Sequence, residues 1–188
     1  RAVAVNYWQN NQLTKVKANV KIILSAGSIG SPHILQASGI GPGELLKKNN
    51  VNVIRDQPAV GKNLQDHLML RPVYKIKNLE TLNEVYHNLF KKMVTGINYF
   101  VFRKGTLTMG ASHLCGFIKS DELLETPNLQ FHVSPMSTDV LGNTTLHKFP
   151  AFTPTICNVK PTSRGSVELD GNDTRNDPKI CMNYLSTP

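Results

Sequence analysis

Long hydrophobic runs are missing from this 188-residue sequence. A bilayer-spanning helix needs about 20 consecutive apolar residues. The stretch around Ile22 to Leu24 falls far short, so no transmembrane segment is expected. Cysteine is scarce: Cys115, Cys157 and Cys181, with no C-x-x-C pair. An odd, widely spaced set argues against a disulfide framework and a zinc site. It predicts buried small hydrophobes in a reducing compartment. The first residues carry no charged start, apolar core and cleavage site, so no signal peptide is expected among them. Acid is also short, with 13 Asp and Glu against 21 Lys and Arg, a formal charge of +8. Such a balance could suit nucleic acid. The cations are scattered as Lys47–Lys48, Lys91–Lys92 and Arg103–Lys104, whereas a nucleic-acid footprint clusters on one face, so no nucleic-acid partner is expected. There is no internal repeat and no low-complexity tract.

What is present is a globular composition, 40% hydrophobic and 18% charged. Val3, Val5 and Tyr7 alternate as in a half-buried strand. Gln9-Asn10-Asn11-Gln12 predicts a hairpin turn, with the returning strand over Leu13 to Ala18. The run Val20 to Ser25 predicts a strand buried on both faces, as in a parallel sheet. A helix is expected to follow, capped by Ser31, with Pro32 at its first position and Gly39 at its left-handed end. A short helix over Glu44 to Asn49 and a small strand over Val51 to Ile54 come next. Thr81 and Glu84 fit a capping box for a single long helix from Leu82 to about Phe102. Its apolar residues recur at steps of three and four, predicting a stripe that faces a core. Gly105 is the expected terminator. Beyond Ser112, β-formers gather in five short runs, at 113–119, 129–134, 152–159, 166–169 and 179–184. They predict an antiparallel sheet of at least four strands.

The fold class expected is mixed, α/β then α+β. The boundary falls near residue 68, dividing the chain into 1–68 and 69–188. Ligands of open α/β sheets bind beyond the carboxyl ends of strands. The predicted strand ends in Ala26-Gly27, small enough to let a cofactor approach the backbone, and the helix start that follows offers unpaired N–H groups. Plain turn chemistry accounts for the same pattern. His113 and Cys115, two apart, could share one side of a strand, but no further ligand clusters with them, so no metal is expected.

The segment Gly27-Ser28-Ile29-Gly30-Ser31-Pro32-His33-Ile34-Leu35-Gln36-Ala37-Ser38-Gly39-Ile40-Gly41 resembles the second signature of the glucose–methanol–choline (GMC) oxidoreductases. Val60 to His67, Pro161 to Val167 and Asn183-Tyr184-Leu185 resemble later blocks of that family, in the family's order. Arg71 to Tyr74, Leu107-Thr108-Met109 and Asn128 to His132 resemble bacterial choline-dehydrogenase-like and alcohol-dehydrogenase-like members. The resemblance implies an internal piece of an FAD enzyme: the end of a Rossmann-like FAD-binding domain over 1–68, then an incomplete substrate domain over 69–188 built on an antiparallel sheet with flanking helices. It implies oxidation of a primary or secondary alcohol, choline-like or other, to a carbonyl. The flavin takes the hydride, and oxygen, a quinone or another acceptor takes the electrons. The location implied is cytoplasmic or peripheral to the inner membrane.

The family's G-x-G-x-x-G is not in this sequence, and its catalytic His with a His or Asn partner would lie beyond Pro188. No residue here is therefore assigned a catalytic role, and the segment alone is expected neither to hold FAD tightly nor to turn over. Ala26, Gly27 and Ser28 are the expected cofactor contacts, followed by Asn63 and His67, whose loop is equally explained by side chains bonding local backbone. Phe131 and His132, on opposite faces of one strand, are the candidates for the substrate pocket. Their alternatives are core for Phe131 and surface for His132. A non-catalytic module that binds a ligand or partner on the same scaffold is the second functional reading.

Overall fold

The computed structural model describes residues 1–139 and 145–187. In chain order the elements are β1 (Ala4–Gln9), β2 (Gln12–Lys17), α1 (Gly27–Ala37), β3 (Ile40–Gly41), α2 (Gly43–Lys48), β4 (Arg55–Asp56) and β5 (Lys62–Leu64). Then come β6 (Met69–Leu70), β7 (Tyr74–Lys75), α3 (Leu82–His87), α4 (Leu89–Phe102) and a 3-10 turn at Thr106–Thr108. The series ends with β8 (Leu114–Ile118), β9 (Leu129–Ser134), β10 (Ala151–Asn158), β11 (Gly165–Glu168) and β12 (Lys179–Cys181). They form two compact units. One holds Arg1–Gln65 with Ser163–Pro188, the other Asp66–Thr162. The chain passes from the first unit to the second between Gln65 and Asp66. The last segment, expected in the second half, folds with the first unit instead. The reason is pairing: β11 lies between β5 and β12 in a three-stranded antiparallel sheet.

The first unit opens with the β1–β2 hairpin, whose two-residue turn puts Asn10 and Asn11 at φ 50° and 60°. Asparagine tolerates that left-handed region, and two such residues give the turn whose twist matches a hairpin. The run after it departs from expectation. Residues 20–25 form no strand, and Ile23 is 80% exposed. No strand among the described residues pairs with it, and an apolar run without a partner has no ladder to join. Helix α1 also starts earlier than expected. Gly27 is its first residue, at φ +78°, and Pro32 lies inside it. Ser31 does not cap it from outside; its Oγ accepts the Ala26 N–H at 3.0 Å. Gly39 does take the left-handed position after α1. Helix α2 ends in a Schellman motif: Asn50 is left-handed, the Val51 N–H reaches the Leu46 carbonyl, and the Asn50 N–H reaches Lys47. The strand expected over 51–54 is displaced to β4, which pairs in parallel with β3.

One side chain joins these parts. Gln36, fully buried, donates through Nε2 to the carbonyls of Val60 (3.2 Å) and Val167 (3.0 Å). Its Oε1 accepts the Leu169 N–H at 2.7 Å. Both amide hydrogens and the oxygen are thus committed to backbone. Gly61 allows the close approach. It sits at φ +85°, and a Cβ there would run into the Val167 carbonyl oxygen and Gln36 Nε2. Leu46, Val167 and Leu169 supply the apolar core beside it.

Across the hairpin, the Arg175 guanidinium lies 4.5 Å from the Trp8 ring centroid. Asp173 accepts from Arg175 Nε at 2.9 Å and Nη2 at 2.6 Å. Those bonds pull the Asp173 carboxyl down to about 2. A depressed carboxyl favours the folded loop at every pH above the ordinary carboxylate range, and that contribution fades as pH falls through about 2. We expect an NMR titration to place the Asp173 midpoint there, and Arg175→Gln to return it to the ordinary range. An unchanged midpoint in the variant would reject the pairing.

The second unit is built on a five-stranded antiparallel sheet in the order β6-β10-β9-β8, with β7 also pairing β10. The expected strands at 129–134, 152–159 and 113–119 appear within a residue or two; those at 166–169 and 179–184 belong to the other unit. Strands β6 and β7 meet β10 in one alignment, Leu70 opposite Ile156 and Tyr74 opposite Phe152. The three residues between them, Arg71, Pro72 and Val73, match in number the three of β10 from Thr153 to Thr155 and make no ladder pair. Pro72 and Pro154 both lack an N–H, so the ladder lapses between them.

The single long helix expected from Leu82 is two. Asn88, extended at φ −112°, ψ 114°, breaks it and caps α4 through its side chain, which accepts the Lys91 N–H. Glu84 accepts the Thr81 N–H at 3.0 Å at the start of α3, as a capping box requires. Arg103, not Gly105, takes the left-handed position that ends α4. The apolar stripe of α4 does not face a core. Leu89 is 82% exposed and Phe100 71%, and Phe90, Met93, Ile97 and Val101 are exposed as well. The arc turned toward the unit is the polar one, with Lys91, Thr95, Gly96 and Tyr99 half-buried and Lys91 paired to Glu80 at 2.8 Å. Asn83 anchors α3 instead. It is fully buried, donates to Ser137 Oγ and the Phe149 carbonyl, and accepts the Ser137 N–H, each at 2.9 Å.

The cysteines divide. Cys157 is buried at 3% exposure, and burial pushes its thiol up. Cys115 and Cys181 are exposed, contrary to the expectation of three buried thiols. Cys115 lies on β8, the outer strand of its sheet, and Cys181 on β12, which closes the other, so each has strand on one side only.

Candidate functional site

The N-terminal turn of α1 is where a positive backbone φ and open space coincide. Gly27 is left-handed, and a Cβ added to it would meet nothing within 4 Å. A side chain is thus excluded by backbone conformation, not by crowding. Ala26 and Ser28, on either side, are exposed. The first turn holds no acidic residue, and no side chain caps it. The leading N–H groups of an 11-residue helix point outward with the positive end of its dipole. Bare N–H groups, no competing carboxylate and a vacant approach suit an anionic group such as a phosphate.

Asn63 and His67 are the other expected cofactor residues. Asn63, exposed at φ 64°, is in β5, which joins the last turn of α1 through Gly61 and Gln36, not its first turn. His67 is exposed and belongs to the second unit, just ahead of β6. Phe131 and His132 are half-buried neighbours on β9. Their cross-strand partners show what each face holds. His132 stands between Cys115 on β8 and Thr155 on β10, with Gln130 and Cys157 in the next row of that face. Phe131 stands between Gly116 and Ile156 on the opposite face, where Leu70 continues the row. The face of His132 mixes hydrogen-bonding side chains with Phe117, opposite Gln130, and Met69, opposite Cys157; the face of Phe131 is apolar. Among the described residues no group of His, Cys, Asp and Glu is arranged to hold a metal. No helix among them is long and apolar enough to cross a membrane.

Residues 1–69, which include the α1 turn, match the GMC oxidoreductase family. The chain belongs to that family. The GMC segment is 34% identical over 190 residues to an alcohol dehydrogenase [acceptor] of Pseudomonas putida, covering 100% of this chain and 34% of that protein. It is 38% identical over 189 residues to an oxygen-dependent choline dehydrogenase of Vibrio vulnificus, covering 100% and 33%. It thus spans about a third of the length of these relatives. The formate oxidase of Aspergillus oryzae superposes with a TM-score of 0.85 at 23% identity, over 98% of this chain and 37% of that one. At that identity the likeness shows the fold: mixed α/β with antiparallel sheets.

Gln36 was not singled out by sequence reasoning. A glutamine beside Leu35 and Ala37 looks like any helical polar residue, and only the position of the Val60 and Val167 carbonyls reveals its task. Arg71 was quoted only as part of the resemblance; its signal is an arginine within a strand-like run that has no acid.

Proposed function

We propose that the full-length protein is an FAD-dependent oxidoreductase that converts a primary or secondary alcohol to a carbonyl. The observation that carries this is the open, left-handed Gly27 turn at the head of α1, inside the GMC-matching segment. Ala26, Gly27 and Ser28 would hold the dinucleotide there. The backbone N–H groups of Gly27 and Ser28 would face a phosphate, the Ala26 N–H being held by Ser31 Oγ, and the missing side chain would leave it room. Asn63 would add a contact within the first unit; His67 remains a candidate carried by the second. The first unit would then be the end of the FAD-binding domain, the second the start of the substrate domain. The relatives named for acting on alcohols support this reading.

The bound flavin would supply the electron sink for the alcohol carbon. The residues of this segment would bind and orient. His132 offers an imidazole to a substrate hydroxyl, on a face where Thr155 and Cys115 flank it. Phe131, on the apolar face, would pack against the apolar part of the chain or the substrate. Oxygen, a quinone or another acceptor would then collect the electrons. The test is a flavin absorption spectrum of the full-length protein, followed by turnover of a panel of small alcohols. A flavin bleached by an alcohol without oxygen supports the reading. A full-length protein that binds no flavin supports the non-catalytic module instead.

A further inference from the structure

We propose that the substrate of this site is an alcohol bearing a carboxylate, selected by Arg71, and that quaternary ammonium alcohols are rejected. The inference rests on the reading above and adds the substrate's charge to it. β6 and β7 meet β10 in one alignment, and counting along the unpaired 71–73 link between them brings Arg71 level with Thr155. Side chains of directly opposed residues share a face. Thr155, His132 and Cys115 form one paired row, and by this count Arg71 extends it on the same face. Strands lie about 4.8 Å apart, so Arg71 and His132, two positions apart, are separated by about 10 Å at the backbone. A small substrate can span that gap with its hydroxyl at the imidazole and its anionic end at the guanidinium.

Arg71 is half-buried, and among the described residues it makes no hydrogen bond and no ion pair. A half-desolvated guanidinium with five free donors is a costly arrangement unless an anion completes it. Lys75 adds a second cation two positions along from Val73, opposite Ala151. No Asp or Glu occurs in β6 to β10 strands of this sheet or in the 71–73 link. A quaternary ammonium group is recognised by carboxylates or by aromatic faces, and at this end of the row it would meet Arg71 and Lys75 with no carboxylate beside them. One guanidinium fork matches one carboxylate. A dianionic phosphate would leave oxygens without donors.

The experiment compares three alcohols with the full-length enzyme: 4-(hydroxymethyl)benzoate, benzyl alcohol and choline. We expect the benzoate to have the highest kcat/KM and choline the lowest. Arg71→Gln should cut kcat/KM for the benzoate by about ten- to a hundredfold, the usual worth of a charge-assisted hydrogen bond. It should leave benzyl alcohol nearly unchanged. Arg71→Lys, which keeps charge but loses the fork, should fall between. Preference for choline, or an equal loss for benzoate and benzyl alcohol in Arg71→Gln, would overturn the proposal. The second outcome would mean that a carboxylate elsewhere in the protein already holds Arg71. Benzoate itself, which cannot be oxidised, separates this idea from the one beneath it. If benzoate raises the melting temperature of the wild type but not of Arg71→Gln, the anion site stands even where no alcohol is turned over, and only the oxidase reading falls.

Discussion

Replacing Gln36 with leucine should unfold the first unit at markedly lower temperature or urea concentration. Leucine fills nearly the same volume but supplies neither donor nor acceptor. The Val167 carbonyl and the Leu169 N–H, both met by Gln36 in buried surroundings, would be left without partners. Each buried orphan costs about 1–3 kcal/mol, so the expected loss is about 2–6 kcal/mol. The Val60 carbonyl, part-buried, adds less because water can replace its bond. Gln36→Glu makes a sharper test. Its carboxylate can still accept the Leu169 N–H but would face two carbonyls with no hydrogen to offer. Burial raises the pKa of such a group, so the variant should be less damaged at pH 5 than at pH 8, where it is charged. Urea unfolding of the full-length protein at both pH values reads this directly. A loss below about 1 kcal/mol in Gln36→Leu would show that water reaches these groups.

Gly27→Val should abolish tight FAD binding while leaving the apoprotein folded. A valine at φ +78° is strained by about 1–2 kcal/mol, but its Cβ meets nothing within 4 Å beyond its own turn. Within the apoprotein, therefore, the penalty is confined to the backbone. A nucleotide lying against that turn would instead meet the whole isopropyl group. We expect FAD content after purification to drop by at least about tenfold, since even one displaced hydrogen bond to a charged group is worth that much. Melting of the apoprotein should fall only by the backbone strain. Gly27→Ala should lie between. If Gly27→Val retains FAD at the wild-type level, the turn faces solvent in the complete protein, and the placement of the cofactor proposed above is wrong.

Local signals were legible in the sequence, and long-range ones were not. Asn10-Asn11 announces its hairpin because two left-handed residues fit few other structures. The strands at 129–134 and 151–158 follow from β-branched and aromatic runs between turn clusters. The start of α1 was misplaced because Pro32 favours a first helical position but does not demand one; the glycine five residues earlier opened the helix. Periodicity on α4 was read correctly as an amphipathic surface, yet it carries no information on what lies against that surface. Residues 20–25 pose the same problem: composition asks for a buried strand, and pairing decides whether there is one. The association of β11 with β5 spans a hundred residues and leaves no local trace. Of the expected site, Ala26 to Ser28 are proposed from the smallness of two residues and the family signature. The grouping of His132 with Cys115, Thr155 and Arg71 required the strand register.

Helix α4 turns Lys91 and Thr95 inward and its leucine, phenylalanines and valines outward. For anyone handling residues 1–188 at the bench, that reversal has a practical meaning. The segment by itself should behave as an oily object: prone to co-purify with chaperones, to bind hydrophobic dyes, and to need a solubilising fusion or mild detergent. The complete polypeptide should show none of these habits if its remaining length shelters the helix.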